Sequence, residues 1–293
     1  LECPFIFASK HLFALTDDAE LDLEVDNSRR GSLMHAVFEH LTTEPVRFDL
    51  TDDELGEVVE KARVSARIER LADDRLWAPL KTRHIDLAKR FLAFEQDYRS
   101  NFPESKTAHR EFSVKGFLKP STGELLSSLS SDEEKHGALE FTGRIDRVDE
   151  DSAGNLSIID YKSSESSTKQ HVAWIKNNKI QLLLYALAVE RGLTELKPRP
   201  VMAALYYVAR PLSRDTGFMV EDAEQGLYKI VDKRKRNRVS LAAKEALFKE
   251  GEDLVRTAVA GMIAGNFAPN PRDPKKCKDC KWSPLCRTPH LSI

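Results

Sequence analysis

The 293-residue chain is 41% apolar and 31% charged, which fits a globular protein with a sizeable core. Its 45 Lys and Arg against 47 Asp and Glu leave a formal charge of −2, so a global basic field is excluded and any nucleic-acid contact must rest on local positive charge. No apolar run is long enough to span a bilayer and no signal peptide is visible, so a cytoplasmic protein without a membrane partner is expected. The chain opens on Leu1 rather than Met and is expected to be part of something longer or a processed form.

Cys3-Pro4-Phe5 opens the chain, followed by a short apolar stretch to Leu15. Gly31 to Leu41 reads as a helix whose buried stripe is Met34, Val37, Phe38 and Leu41. Residues 43–105 are charged and helical in pattern, a helical insertion ahead of the sheet. Glu111 to Phe117 alternates like a strand. Pro120 to Gly137, rich in Ser and acids, reads as a loop. Phe141–Asp149 and Leu156–Lys162 read as strands joined by a turn over Glu150–Asn155.

Lys179 to Arg191 is helical and stops near Gly192, and Val201 to Val208 is a buried strand. A long helix is expected over Ser240–Ala264, with Leu254, Val255, Ala258, Val259, Met262 and Ile263 as its buried stripe and Gly265 just past its end. This order predicts one α/β domain with a mixed central sheet. Its parts are a helix over 28–42, the insertion, a core over 106–265 and cysteine-bearing segments at 1–15 and 266–293. The basic run Lys233, Arg234, Lys235, Arg236, Asn237, Arg238 is either a solvated loop or a phosphate-contacting segment.

The four cysteines sit at the two ends: Cys3, then Cys277, Cys280 and Cys286. Two disulfides suit a small secreted scaffold, which this chain does not resemble. Four thiolates with a close C-x2-C pair suit structural zinc or an iron–sulfur cluster, and spacing does not separate the two.

Asp160 and Lys162 are two apart on a strand and share a face. A hairpin closing symmetrically about Ala153 sets Asp146 across from Asp160 and Val148 across from Ile158. Two facing carboxylates repel, and a hard divalent cation, Mg²⁺ or Mn²⁺, removes that cost. Such an ion polarises a phosphoryl oxygen and acidifies water, while Lys162 offers a point charge to the transition state.

The segment Gly143-Arg144-Ile145-Asp146-Arg147-Val148-Asp149, followed by Ile158-Ile159-Asp160-Tyr161-Lys162-Ser163-Ser164, resembles the core motif of the PD-(D/E)XK nuclease superfamily in its RecB-like branch. The resemblance implies a restriction-endonuclease-like fold in which Asp146 and Asp160 bind metal, the backbone carbonyl of Tyr161 completes the set and Lys162 is catalytic. Ile145 stands where the motif has proline. Gln181-Leu182-Leu183-Leu184-Tyr185 resembles the branch's Gln-x3-Tyr helix, which implies that Gln181 and Tyr185 hold the scissile strand. Gly31-Ser32-Leu33-Met34-His35 resembles its Gly-x3-His helix, which implies His35 as a further ligand. Glu111 matches the first-strand glutamate, implying a second ion site or water orientation.

Cys3, Cys277, Cys280 and Cys286 match the iron–sulfur members of the branch, which implies a [4Fe–4S] cluster, with Zn²⁺ as the second reading. Together the resemblance implies a Mg²⁺- or Mn²⁺-dependent exonuclease on single-stranded DNA or duplex ends, in DNA repair or recombination, joined to a helicase subunit or domain. The alternative is a non-catalytic DNA-binding scaffold of the same fold.

Overall fold

The computed structural model describes residues 3–15, 27–68, 74–119, 124–130, 132, 138–221, 227, 237–271 and 273–286. Its centre is a seven-stranded sheet of β1 (Lys106–Leu118), β2 (Leu125–Leu126), β3 (Leu139–Glu150), β4 (Leu156–Lys162), β5 (Val201–Ala209), β6 (Leu212–Val220) and β7 (Arg238–Val239). The spatial order is β2-β1-β3-β4-β5-β6-β7; β4 and β5 are parallel, as are β6 and β7, and the other pairs are antiparallel. Every residue of β5 is buried, as its unbroken apolar run demands of a strand covered on both faces.

Helices cover both faces. On one lie α2 (Asn27–Leu41), α3 (Asp52–Ser65) and α4 (Asp74–Asn101), which follow the short α1 (Pro4–Phe7). A capping box starts α3: Thr51 accepts from the Glu54 amide, and the Glu54 carboxylate accepts from the Thr51 amide at 2.8 Å. This layer packs Val37, Phe38, Val59 and Phe91 against Ile159, Tyr161 and Tyr207 of the sheet. The stretch expected as an insertion is therefore a full layer of the fold. On the other face α5 (Trp174–Asn177), α6 (Gln181–Glu190) and α7 (Leu241–Ile263) set Trp174, Leu183 and Phe248 against Val148, Ile158 and Ala204. Adjacent residues Ile158 and Ile159 serve opposite layers, as the two-residue strand period requires.

Several expectations shift. β1 begins at Lys106 rather than Glu111, and β2 falls inside the expected loop over 120–137, most of which lies outside the described residues. β6 and β7 add to the strands expected. Within β6, Gly217 has φ +139°, and a side chain there would meet the Ala204 carbonyl oxygen at 2.0 Å. The apolar stripe of α7 is not buried as expected: Leu254, Val255, Val259 and Met262 are half-buried and Ile263 is exposed. Several of these residues line an apolar groove of about 670 Å³ shared with Phe7, Phe141, Leu184 and Phe267. The buried contacts of α7 come earlier, from Lys244, Phe248 and Gly251. Its end is as read: Gly265 has φ +70°, its amide donates to Met262 and that of Asn266 to Gly261.

Under α4 the sheet carries a buried ionic cluster. Arg147 donates to both carboxylate oxygens of Asp149 (2.6 and 3.0 Å) and to Glu95 at 2.8 Å, and Arg214 reaches Asp149 at 2.5 Å. All four residues are almost wholly buried. Arg214 also lies 4.0 Å from the Tyr98 ring centre. Burial pushes Asp149 upward, but the charges and hydrogen bonds of Arg147 and Arg214 outweigh it and hold this carboxyl below its ordinary value. Breaking such a cluster leaves buried charge uncompensated, so Asp149→Asn is expected to cost about 3–5 kcal/mol, read by urea unfolding at pH 7. Because the folded value is depressed, the contribution is present above the unfolded carboxylate range and lost as pH falls through the folded value. The gap between wild type and variant should close below about pH 4.

Candidate active site

β3 and β4 pair as Arg147 with Ile159, Val148 with Ile158, Asp149 with Ser157 and Glu150 with Leu156, the register expected of a hairpin centred on Ala153. The ladder then stops. β4 keeps its pairing with β5 through Asp160–Tyr206, Tyr161–Tyr207 and Lys162–Val208, so it forks away from β3 just where Asp146 and Asp160 would face each other. In the fork, the Tyr161 amide donates to Asp146 Oδ2 at 2.7 Å in place of a ladder bond.

α2 lays His35 over this fork. Its Nε2 donates to the Tyr161 carbonyl at 3.0 Å, and its Nδ1 stands 3.3 Å from Asp146 Oδ1. Burial opposes charge on the imidazole, but hydrogen bonding to Asp146 and the charges of Asp146 and Asp160 outweigh it, and the His35 pKa is raised. Phe38, one turn further along α2, stacks on Phe91 at 4.0 Å and meets the Tyr161 ring edge-on at 5.0 Å. The aromatic cluster thus fixes the residue whose backbone carries both polar contacts.

From β1 comes Glu111, opposite Asp146 by register count in a ladder that pairs Arg110 with Arg147 and Phe112 with Ile145. Its φ is +47°, a left-handed backbone inside a strand. At a non-glycine residue this costs about 1–2 kcal/mol. One ligand atom each from His35, Glu111 and Asp146 lie within 4.8 Å of one another. Burial, together with nearby Asp146 and Glu39, raises the Glu111 carboxyl despite its 2.6 Å contact with Arg144. This nitrogen-and-oxygen donor set, with the Tyr161 carbonyl beside it, fits a hard divalent cation.

Asp160 stands next to the trio rather than in it. Its carboxylate pairs with Lys162, and burial, outweighing Lys162 and reinforced by Asp146, pushes it up to about 6. The cleft, about 620 Å³, is lined by Gly31, His35, Glu39, Arg67, Glu111, Arg144, Asp146, Tyr161 and Lys162 among others. A side chain at Gly31 would meet open space, so the approach beside His35 is clear, as its spacing suggested. Gln181 and Tyr185 are not among the lining residues. They bond to each other at 3.1 Å, and Tyr185 packs so closely on Gly143 that a side chain there would meet its ring at 2.9 Å. Tyr185 instead lines the apolar groove beyond β3.

Of the basic run, Lys233, Arg234, Lys235 and Arg236 lie outside the described residues, and Arg238 is half-buried on β7. At the chain ends Phe7 stacks on Phe267 at 6.5 Å. Burial and the neighbouring thiols Cys280, Cys286 and Cys3 all push the Cys277 thiol up. Sequence reasoning missed Arg67 and Glu39 in the cleft. Their signal was weak: Glu39 lies one turn beyond His35 on α2, and Arg67 follows the end of α3.

The chain belongs to the PD-(D/E)XK nuclease superfamily, whose family model matches residues 1–287. Members are nucleases that use divalent metals, and DNA is the substrate class the superfamily implies. No curated protein shows significant similarity to the chain. Among the described residues, no helix is long and apolar enough to cross a membrane. His35→Ala, Glu111→Gln and Asp146→Asn are each expected to weaken Mn²⁺ binding, followed calorimetrically, by more than the about 10–100-fold typical of losing an outer-shell partner.

Proposed function

We propose that the chain is a Mg²⁺- or Mn²⁺-dependent deoxyribonuclease of the RecB-like branch. In this reading it is a single nuclease domain over residues 1–293, an exonuclease on single-stranded DNA or duplex ends. It works in the cytoplasm in DNA repair or recombination, with a helicase subunit or domain as partner. The observation that carries the reading is the convergence of His35, Glu111, Asp146 and the Tyr161 carbonyl beside the Asp160–Lys162 pair.

In this reading His35, Asp146 and the Tyr161 carbonyl, with Asp160 beside them, would hold the cation, and Glu111 would serve as an added ligand or orient water. Bound there, the ion supplies Lewis-acid polarisation of a phosphoryl oxygen and acidification of water. Asp160 fixes the Lys162 ammonium at the cleft, where it stabilises charge growing on the phosphoryl group. Gln181, exposed, and Tyr185, half-buried beside Gly143, steady the DNA strand with help from the basic run ending at Arg238.

Cys3, Cys277, Cys280 and Cys286 hold a structural [4Fe–4S] cluster in this reading. The reading rests on the spacing of these cysteines in the sequence; Cys280, Cys286 and Cys3 also push the Cys277 thiol up, a cost that a cationic centre would relieve. Protein purified without oxygen is expected to be brown and to contain iron and acid-labile sulfide; zinc alone would remove the cluster assignment.

Digestion of end-labelled linear and circular DNA with Mg²⁺ and Mn²⁺ tests the activity. Loss of label from linear ends with circles intact supports an exonuclease. Asp160→Ala and Lys162→Ala should each lower cleavage by at least about 10²-fold, the scale of one lost transition-state contact, while both variants still fold and melt cooperatively. Cutting retained by both variants would overturn the mechanism.

A further inference from the structure

We propose that Arg67, at the end of α3, binds a backbone phosphate of the nucleic-acid strand in the catalytic cleft. The inference rests on the nuclease reading of that cleft and adds a residue which the sequence motifs leave out.

Three Arg and Lys side chains line the cleft: Arg67, Arg144 and Lys162. Arg144 is held by Glu111 at 2.6 Å, and Lys162 is paired with Asp160. Arg67 has no hydrogen bond or ion pair from its side chain among the described residues, and it is exposed. The rest of the cleft is strongly acidic, with Glu39, Glu111 and Asp146 on its lining. A DNA strand entering it brings phosphates toward those carboxylates. A guanidinium with unspent donors is the group on the lining best suited to meet a phosphate, in the planar two-point geometry that guanidinium allows.

The backbone of Arg67 strengthens the assignment. The Arg67 amide donates to Val64, the Ile68 amide donates to Arg63, and Arg67 has φ +55°. This is the helix-ending motif whose left-handed position glycine normally fills. α7 ends in the same bonding pattern and does use glycine there, Gly265 at φ +70°. α3 instead places a long cation at a position that disfavours every side chain. A cation near a helix C-terminus gains from the helix dipole, but Arg63 already supplies one in the last turn. A function in the cleft accounts for the remaining choice.

The test compares wild type with Arg67→Gly and Arg67→Lys. Glycine keeps the helix end and relieves its backbone, so Arg67→Gly should melt at the same temperature as wild type or higher. Binding of a labelled single-stranded DNA, read by fluorescence anisotropy in EDTA, should weaken about tenfold at low salt, the scale of one charge-assisted contact. The slope of log affinity against log salt should flatten by about 0.7, one phosphate's worth on a single strand. Arg67→Lys should recover most of the slope and part of the affinity, and the cleavage defect of Arg67→Gly should appear mainly in KM. Unchanged affinity and slope in Arg67→Gly would overturn the proposal. Wild type that binds DNA with the expected Arg67 dependence but never cuts removes the hydrolytic reading and sustains the phosphate contact. Wild type that does not bind DNA overturns both.

Discussion

Tyr161 is the residue on which the site depends. Its ring is buried among Phe38, Phe91 and Tyr207, its amide is held by Asp146, and its carbonyl is held by His35. One residue therefore joins the helical layer, the central strand and two metal-ligand candidates. The apolar contacts fix the side chain, and with it the peptide groups on either side. The polar contacts then exploit backbone atoms that cannot rotate away. His35 and Asp146 are positioned relative to each other because both are positioned relative to Tyr161.

The buried cluster of Arg147, Arg214, Glu95 and Asp149 serves the same arrangement from below. It ties α4 to β3 and β6 by charge-assisted hydrogen bonds. The stacked pair Phe38–Phe91 joins α4 to α2, so the helix that carries His35 is indirectly braced by this cluster. Buried ion pairs seldom add much net stability over apolar packing, but they penalise other arrangements heavily. Here the arrangement they fix is the one that brings α2 over the fork.

Much of this was legible in the residues. The hairpin register followed from the turn between Glu150 and Asn155, and the layered α/β fold followed from the alternation of buried strands and amphipathic helices. What the hairpin argument did not contain was β5. The ladder with β3 ends at Arg147–Ile159 while β4 goes on pairing with β5 along its other edge, so Asp160 does not face Asp146 across a rung. Glu111 carried no local sign of its left-handed backbone, since nothing in its neighbourhood is glycine-like. Arg147 and Asp149 sat inside the recognised motif, yet their burial depends on Glu95 and Arg214, distant in sequence and without periodic signal. The stripe of α7 was read as core because an apolar face on a helix does not reveal whether a neighbour covers it.

The parting of β3 and β4 has a mechanical consequence. Asp146 travels with β3 and β1, whereas Asp160 travels with β4 and β5. The bond from the Tyr161 amide to Asp146 spans this parting, so a side chain rather than a ladder rung sets how far apart the two acids stand.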